Sequence, residues 1–259
     1  MIKNIVFDMG AVIIDFDPKR ILGSLFEKED AEKVEEVLFH TDAWDRRDRG
    51  TATNEEVLKE ALPLLPERTH EKVRKMVDNF FVYMPEFEDV YEIIKEIKAQ
   101  GFKLYLLSNC SPDFYEHTDY IKSFKYFDGL MVSADCRLMK PEKEIYEYFL
   151  NKFSLKAEEC FFFDDRRENI EGAKMAGING KVFSHKDMPG FIQKLGEIGV
   201  NIGSFSPAAL KDNGASIDHC STAVFRESGA SIGHCSPASF SESGASIDPR
   251  SVSDPEKAE

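Results

Sequence analysis

The chain has 259 residues, 42% of them hydrophobic and 31% charged, and its formal net charge is −14. An acidic balance of this size excludes nonspecific binding to nucleic acid or to an anionic membrane surface. No apolar stretch reaches transmembrane length, no signal-peptide pattern is present, and the five scattered cysteines (Cys110, Cys136, Cys160, Cys220, Cys235) form no disulfide framework, so the expectation is a cytoplasmic protein.

The first element is the run Lys3–Asp8, rich in Ile, Val and Phe, which reads as a short buried strand. Asp8 stands at its exit, before the turn Met9-Gly10-Ala11-Val12. Open α/β sheets place their active sites at such strand ends. Alone, Asp8 would read better as a turn or helix-cap residue.

From Phe16 to Met84 the chain is charge-rich and helical in pattern. Its apolar spacing runs through Ile21, Leu22, Leu25 and Phe26, then Val34, Val37 and Leu38, then Val57, Leu58 and Leu62. Thr53-Asn54-Glu55-Glu56 has the form of a capping box, and Pro63 and Pro66 interrupt the pattern. Trp44, Arg46, Arg47 and Arg49 cluster here among Asp42, Asp45 and Asp48. Interspersed opposite charges favour a buried Trp beside a solvated helix face, and the sharper alternative is a lid that grips substrate.

The α/β pattern resumes at Pro85. A helical stripe (Val90, Ile93, Ile94, Ile97) ends at Gly101, and a strand over 102–107 leads to Ser108 and Asn109. A helix is expected over 112–122, a strand over 129–133, and a helix from Pro141 with Ile145, Phe149 and Phe153 facing inward. Strand 160–164 ends in Asp164-Asp165. Helix 167–176, a strand near 181–183 and a helix over 188–198 complete the series. The alternation predicts an α/β fold: a Rossmann-like, doubly wound parallel sheet, with a small helical insert after the first strand. Residues 206–250 are three tandem 15-residue units, each carrying Gly-Ala-Ser-Ile. Their paucity of large apolar side chains predicts disorder for the tail, 201–259. The metal suggestion of His219-Cys220 and His234-Cys235 is weak, because neighbouring side chains diverge and the third unit has Pro249-Arg250 instead.

Four segments in this order, Phe7-Asp8, Leu107-Ser108-Asn109, Met139-Lys140-Pro141 and Phe163-Asp164-Asp165, resemble the motifs of the haloacid dehalogenase-like hydrolase superfamily over roughly residues 1–200. The resemblance implies a core of residues 1–15 and 85–200, with residues 16–84 as a helical cap that selects substrates. It implies a Mg²⁺-dependent phosphatase acting through an aspartyl phosphate on Asp8, with Ser108, Asn109 and Lys140 as the other catalytic residues. The ion would be held by Asp8, the Gly10 carbonyl and Asp165. Asp164 would act through bound water, and Asn169 would orient the shell. The chemistry is coherent: an anionic ester needs charge neutralisation and an aligned nucleophile, and Mg²⁺ prefers oxygen ligands.

Gly10 departs from most phosphatases of the superfamily, which carry a second Asp there as general acid–base. A missing acid–base group costs about 10²–10⁴ in rate. A subgroup that includes a glucose-1-phosphate phosphatase shares this departure, so a small phosphorylated metabolite, specifically a sugar phosphate with a good leaving group, is the expected substrate. Asp15 and Asp17 could replace the acid, but a turn or a position before Pro18 suits them better. Two other functions stay open: carbon–halogen hydrolysis, which also dispenses with the second Asp, and a non-catalytic interaction protein that presents the tail.

Overall fold

The computed structural model describes residues 1–203 except His40. The repeat tail and its His-Cys pairs lie outside the described residues.

Five short strands form one parallel sheet: β1 (Asn4–Phe7), β2 (Lys103–Ser108), β3 (Gly129–Val132), β4 (Cys160–Asp164) and β5 (Asn179–Val182), in the order β3-β2-β1-β4-β5. The registers Phe7↔Leu106 and Phe7↔Phe163 bring the ends of β1, β2 and β4 to one edge. The order reverses at β1, so that edge is a topological switch point, where such sheets open a crevice.

Strand alternation sorts the side chains into two cores. Ile5, Phe7, Leu104, Leu106, Phe161 and Phe163 face one cluster, covered by α6 (Glu88–Ala99) and α9 (Met188–Glu197). Val6, Tyr105, Leu107 and Phe162 face the other, covered by α7 (Lys143–Lys152) and α8 (Arg167–Met175). Because both faces are covered, the strands read as nearly continuous apolar runs. Among the described residues, no helix is long and apolar enough to cross a membrane.

Between β1 and α6 the elements of the described residues are all helical. The chain forms α1 (Pro18–Leu25), α2 (Lys28–Phe39), α3 (Asp42–Asp48), α4 (Asn54–Ala61) and α5 (His70–Asp78), with 3₁₀ turns between and after them. Asp17 caps α1 through Arg20 N at 3.1 Å, and Asp15 pairs with Arg20 at 3.0 Å, so both carboxylates have structural partners. The predicted capping box at Thr53 and Glu56 is present in both directions. The two chain crossings lie side by side, joined by Asp15 N to Pro85 O (2.8 Å) and Phe87 N to Ile13 O (2.9 Å).

Two expectations are corrected. The helix expected over 112–122 is instead a run of three 3₁₀ segments, Pro112–Glu116, Thr118–Tyr120 and Lys122–Tyr126. Apolar residues recur there at spacings of three, as in Ile121, Phe124 and Phe127, which suits the tighter helix. The Glu86 carboxylate takes the Lys122 and Ser123 amides at 3.0 Å each, and this interrupts any longer run. Helix α7 starts at Lys143, with Glu142 as its extended N-cap, so Pro141 is outside it. The backbone of Lys140 is instead committed to Asn109.

Candidate active site

Asp8 directly follows β1, Ser108 ends β2, and Asp164 ends β4 with Asp165 just beyond. All four line or adjoin one cavity of about 360 Å³, along with Gly10, Asn109, Lys140, Arg166 and Asn169. The sheet edge thus gathers residues far apart in sequence.

Lys140 is the electrostatic centre. Its side chain is 1% exposed, and its Nζ lies 2.8 Å from Asp8 Oδ1 and 2.7 Å from Asp164 Oδ2. Burial alone would lower its pKa, but the carboxylates of Asp164 and Asp8 outweigh that and hold it above the ordinary value. A Lys without partners in this position would shed its proton. Here it is a fixed cation, 5.3 Å from the centre of the Phe162 ring. Burial raises the Asp8 pKa; Lys140 opposes the shift and Asp164 adds to it.

Asn109 acts on Lys140 through the backbone. Its Nδ2 donates to Lys140 O and its Oδ1 accepts from Lys140 N, both at 2.9 Å. This two-way clamp fixes the main chain that carries the ammonium. The neighbouring Cys110 amide is taken by Ser133 Oγ at 2.9 Å, so it does not reach the cavity as a phosphate donor. Cys110 itself is buried, and desolvation pushes its thiol well up, as befits a small packing residue.

Asp164 is fully buried and saturated. It accepts from Lys140 Nζ (2.7 Å), Arg166 N (2.8 Å) and Asn169 Nδ2 (2.9 and 3.0 Å). Asp165 stands at the rim, and partial desolvation of its carboxyl, then the negative charges of Asp8 and Asp164, push its pKa up to about 7. Ligand oxygens of Asp8, Asp164 and Asp165 lie within 4.8 Å of one another. Three crowded carboxylates suit a hard divalent cation, which would relieve their repulsion. Asn169 Oδ1 is buried without a hydrogen-bond donor, as expected of an acceptor facing a hydrated ion. The donor set therefore fits Mg²⁺. With Asp164 already engaged, Asp8 and Asp165 are the carboxylates with oxygens left to give.

The α3 cluster divides. Trp44 is buried, and Arg46 pairs on the surface with Asp42 (2.8 Å) and Glu60 (2.7 Å). Arg49 pairs with Glu142 at 2.5 Å. Arg47, however, is only 3% exposed, contrary to the solvated face expected for it. Its guanidinium reaches Asn54 Oδ1 (2.5 Å), Asp48 (3.3 Å) and Asp113 (2.9 Å) and lies 4.7 Å from the Trp44 ring centre. These bonds take three of its five N–H donors and hold it in the cavity wall. Sequence reasoning overlooked Arg166 and Asp48, both of which line the cavity. The signal for Arg166 was its place directly after the acidic pair, whereas Asp48 gave none among its alternating charges.

A family model described as haloacid dehalogenase-like hydrolase matches residues 2–177. The sesquiterpene phosphatase astK of Aspergillus oryzae is 24% identical over 69% of this chain and 88% of its own. The D-ribitol-5-phosphate phosphatase of Bacteroides thetaiotaomicron is 27% identical over 69% of this chain and 90% of its own. Among solved structures, an Asp12Ala mutant of a HAD family enzyme from Bacteroides thetaiotaomicron, in complex with magnesium and inorganic phosphate, has a TM-score of 0.60 at 21% identity, covering 74% of this chain and 98% of that one. Motif order, sheet topology and family match agree: the chain belongs to the haloacid dehalogenase-like hydrolases.

Proposed function

We propose that this protein is a Mg²⁺-dependent phosphatase that hydrolyses a small phosphomonoester through a phosphorylated Asp8. The observation that carries this reading is the convergence of Asp8, Lys140 and Asp165 at one cavity edge, with carboxylate oxygens close enough to share an ion. The two curated relatives are phosphatases by name, and the related solved structure holds magnesium and phosphate, which supports the same chemistry.

Asp8, Asp165 and the Gly10 carbonyl would hold the ion, with Asp164 and Asn169 behind them. Bound there, Mg²⁺ supplies positive charge that lets an anionic ester lie beside a carboxylate. Lys140 adds a second, fixed positive charge, and Asn109 keeps it aimed. Ser108, buried beside Asp8, offers a hydroxyl to a phosphoryl oxygen. An oxygen of Asp8 attacks phosphorus, the P–O bond to the alcohol breaks, and the alkoxide leaves. Gly10 offers no acid, so the leaving oxygen takes its proton from water. A water then attacks the phosphoryl group, the P–O bond to Asp8 breaks, and phosphate is released.

Residues 1–15 and 85–200 form the catalytic core in this reading, and residues 16–84 form a cap over it. The paired crossings at Asp15–Pro85 and Ile13–Phe87 serve as the junction. The proposed setting is the cytoplasm, in keeping with the free thiols of Cys110, Cys136 and Cys160.

Assays on a panel of phosphomonoesters, with Mg²⁺ and with a chelator, test the reading. Turnover should vanish with the chelator, and Asp8→Asn should lower kcat at least about a thousandfold while the fold persists. Activity that survives in Asp8→Asn would remove Asp8 as the nucleophile. The absence of an acid at Gly10 also admits dehalogenation, which needs no metal; chelator-resistant release of halide from a 2-haloacid would favour that alternative.

A further inference from the structure

Beyond the polar end just described, the cavity changes character. Its walls there come from Phe16 after β1, Phe39 at the end of α2, Trp44 in α3, and Phe80, Phe81 and Met84 in the turn after α5. The rings brace one another: Phe39–Trp44 at 4.7 Å, Trp44–Phe80 at 5.4 Å, Phe39–Phe80 at 5.6 Å and Phe16–Phe80 at 6.0 Å between centroids. They form a continuous apolar surface contributed by separate elements.

The polar groups on this side are few. Arg47 directs one donor each from Nε, Nη1 and Nη2 to Asn54, Asp48 and Asp113, and its guanidinium lies against the Trp44 ring. Phe39 and Phe80 meet that ring at steep angles, 66° and 72°, so Trp44 is held within the cluster and presents no free platform for a sugar. Asp45 is exposed, and Asp48 faces Arg47. A polyol lodged here would lose water from several hydroxyls and find few partners to replace it. An apolar group would gain from the same burial.

Resting on the phosphatase reading above, we infer that the preferred substrate is the monophosphate of an apolar alcohol, alkyl or arylalkyl, whose hydrocarbon part lies against the Phe16–Phe39–Trp44–Phe80 wall. The charged end is recognised by Lys140 and the acidic site, and selectivity comes from the cap's aromatic cluster. This departs from the sugar phosphate expected from Gly10, because leaving-group chemistry at the core does not decide which group the walls accept.

The experiment is a homologous series on the full chain with Mg²⁺: ethyl, butyl, hexyl and octyl phosphate against glucose 6-phosphate and ribitol 5-phosphate. All are esters of primary alcohols. The polyols are the slightly better leaving groups, so a preference for alkyl esters cannot come from the leaving group. The expected result is a kcat/KM that rises about tenfold or more from ethyl to hexyl, with both polyols below hexyl. A flat series with either polyol above hexyl phosphate overturns the inference and leaves the phosphatase reading intact. Phe39 is half-buried, so Phe39→Asn is tolerable to the fold; it should shrink the hexyl-to-ethyl ratio, and Phe39→Leu should keep it. An unchanged ratio in Phe39→Asn overturns the placement. If no ester turns over, the phosphatase reading fails on its own, and melting with Mg²⁺ and alkylphosphonates becomes the readout. Hexylphosphonate should then raise Tm more than ethylphosphonate, and equal shifts overturn the inference.

Discussion

Arg47 serves two carboxylates at once. Asp113 holds it at 2.9 Å, while Asp48, at 3.3 Å, is the weaker partner. Burial raises the Asp48 pKa from 3.8 to about 7; Arg47 opposes the shift, and Asp45 and Asp113 add to it. A carboxyl with a raised native pKa binds its proton more tightly when folded. Its stabilising contribution is complete below the unfolded value near 3.8 and is lost as pH climbs through about 7. Asp48→Asn should therefore change Tm little at pH 4 and raise it relative to the parent at pH 8. Each 1 kcal/mol recovered shifts the midpoint by about 2–4 °C in a chain of this size. Scanning calorimetry of both proteins at the two pH values checks this, and a Tm gap that does not widen with pH would count against the shift. The meeting of Asp8, Ser108, Lys140, Asp164 and Asp165 at one sheet edge could be anticipated from sequence, because each follows or adjoins an apolar run that announces a strand or loop end. The burial of Arg47 could not, because it depends on Asp113, 66 positions away. The Asn109 clamp on Lys140, across 31 positions, was hidden for the same reason.

Helix α8 bears on the position of Lys140 through the loop that follows it. At Gly172 the helix passes so close to the loop after Lys140 that an added Cβ would sit 2.4 Å from the Pro141 carbonyl and 3.0 Å from the Tyr146 ring. Backbone cannot yield as a side-chain tip does. Gly172→Ala should cost about 1–3 kcal/mol through overpacking. It should also displace Lys140, lowering kcat more than it raises KM. Urea unfolding together with steady-state kinetics separates the two effects; a stability loss with untouched kcat would show that the helix supports the fold alone. Most elements were legible because their apolar period is long and regular, as along Val90, Ile93, Ile94 and Ile97, all buried. Residues 112–126 were not. Their short 3₁₀ turns are set by Phe114, Phe124 and Phe127 packing together, with ring centroids of 5.6 Å between successive pairs, and by a Glu86 carboxylate from elsewhere in the chain.

At the scale of the molecule, Val200 is buried and Asn201 exchanges two hydrogen bonds with Gln100, at 2.8 and 2.9 Å. These contacts tie down the end of the α/β unit. Removing residues 204–259 should leave Tm and turnover close to the parent's, whereas a cut before Val200 should lower Tm. Loss of activity in the shorter truncation with a preserved melt would give the tail a catalytic role. The position of β1 has one more consequence. Asn4 is flanked by Lys103 on one side and Cys160 on the other. A nascent chain therefore exposes β1, which leads into Asp8, first and completes its second neighbour only after β4 leaves the ribosome, on the order of 10 s later at ordinary translation rates. During that interval the β1 segment has both edges open, one until β2 emerges and the other until β4 does. An arrested ribosome that has not yet released β4 would hold a polypeptide with Asp8 and no acidic pair to face it.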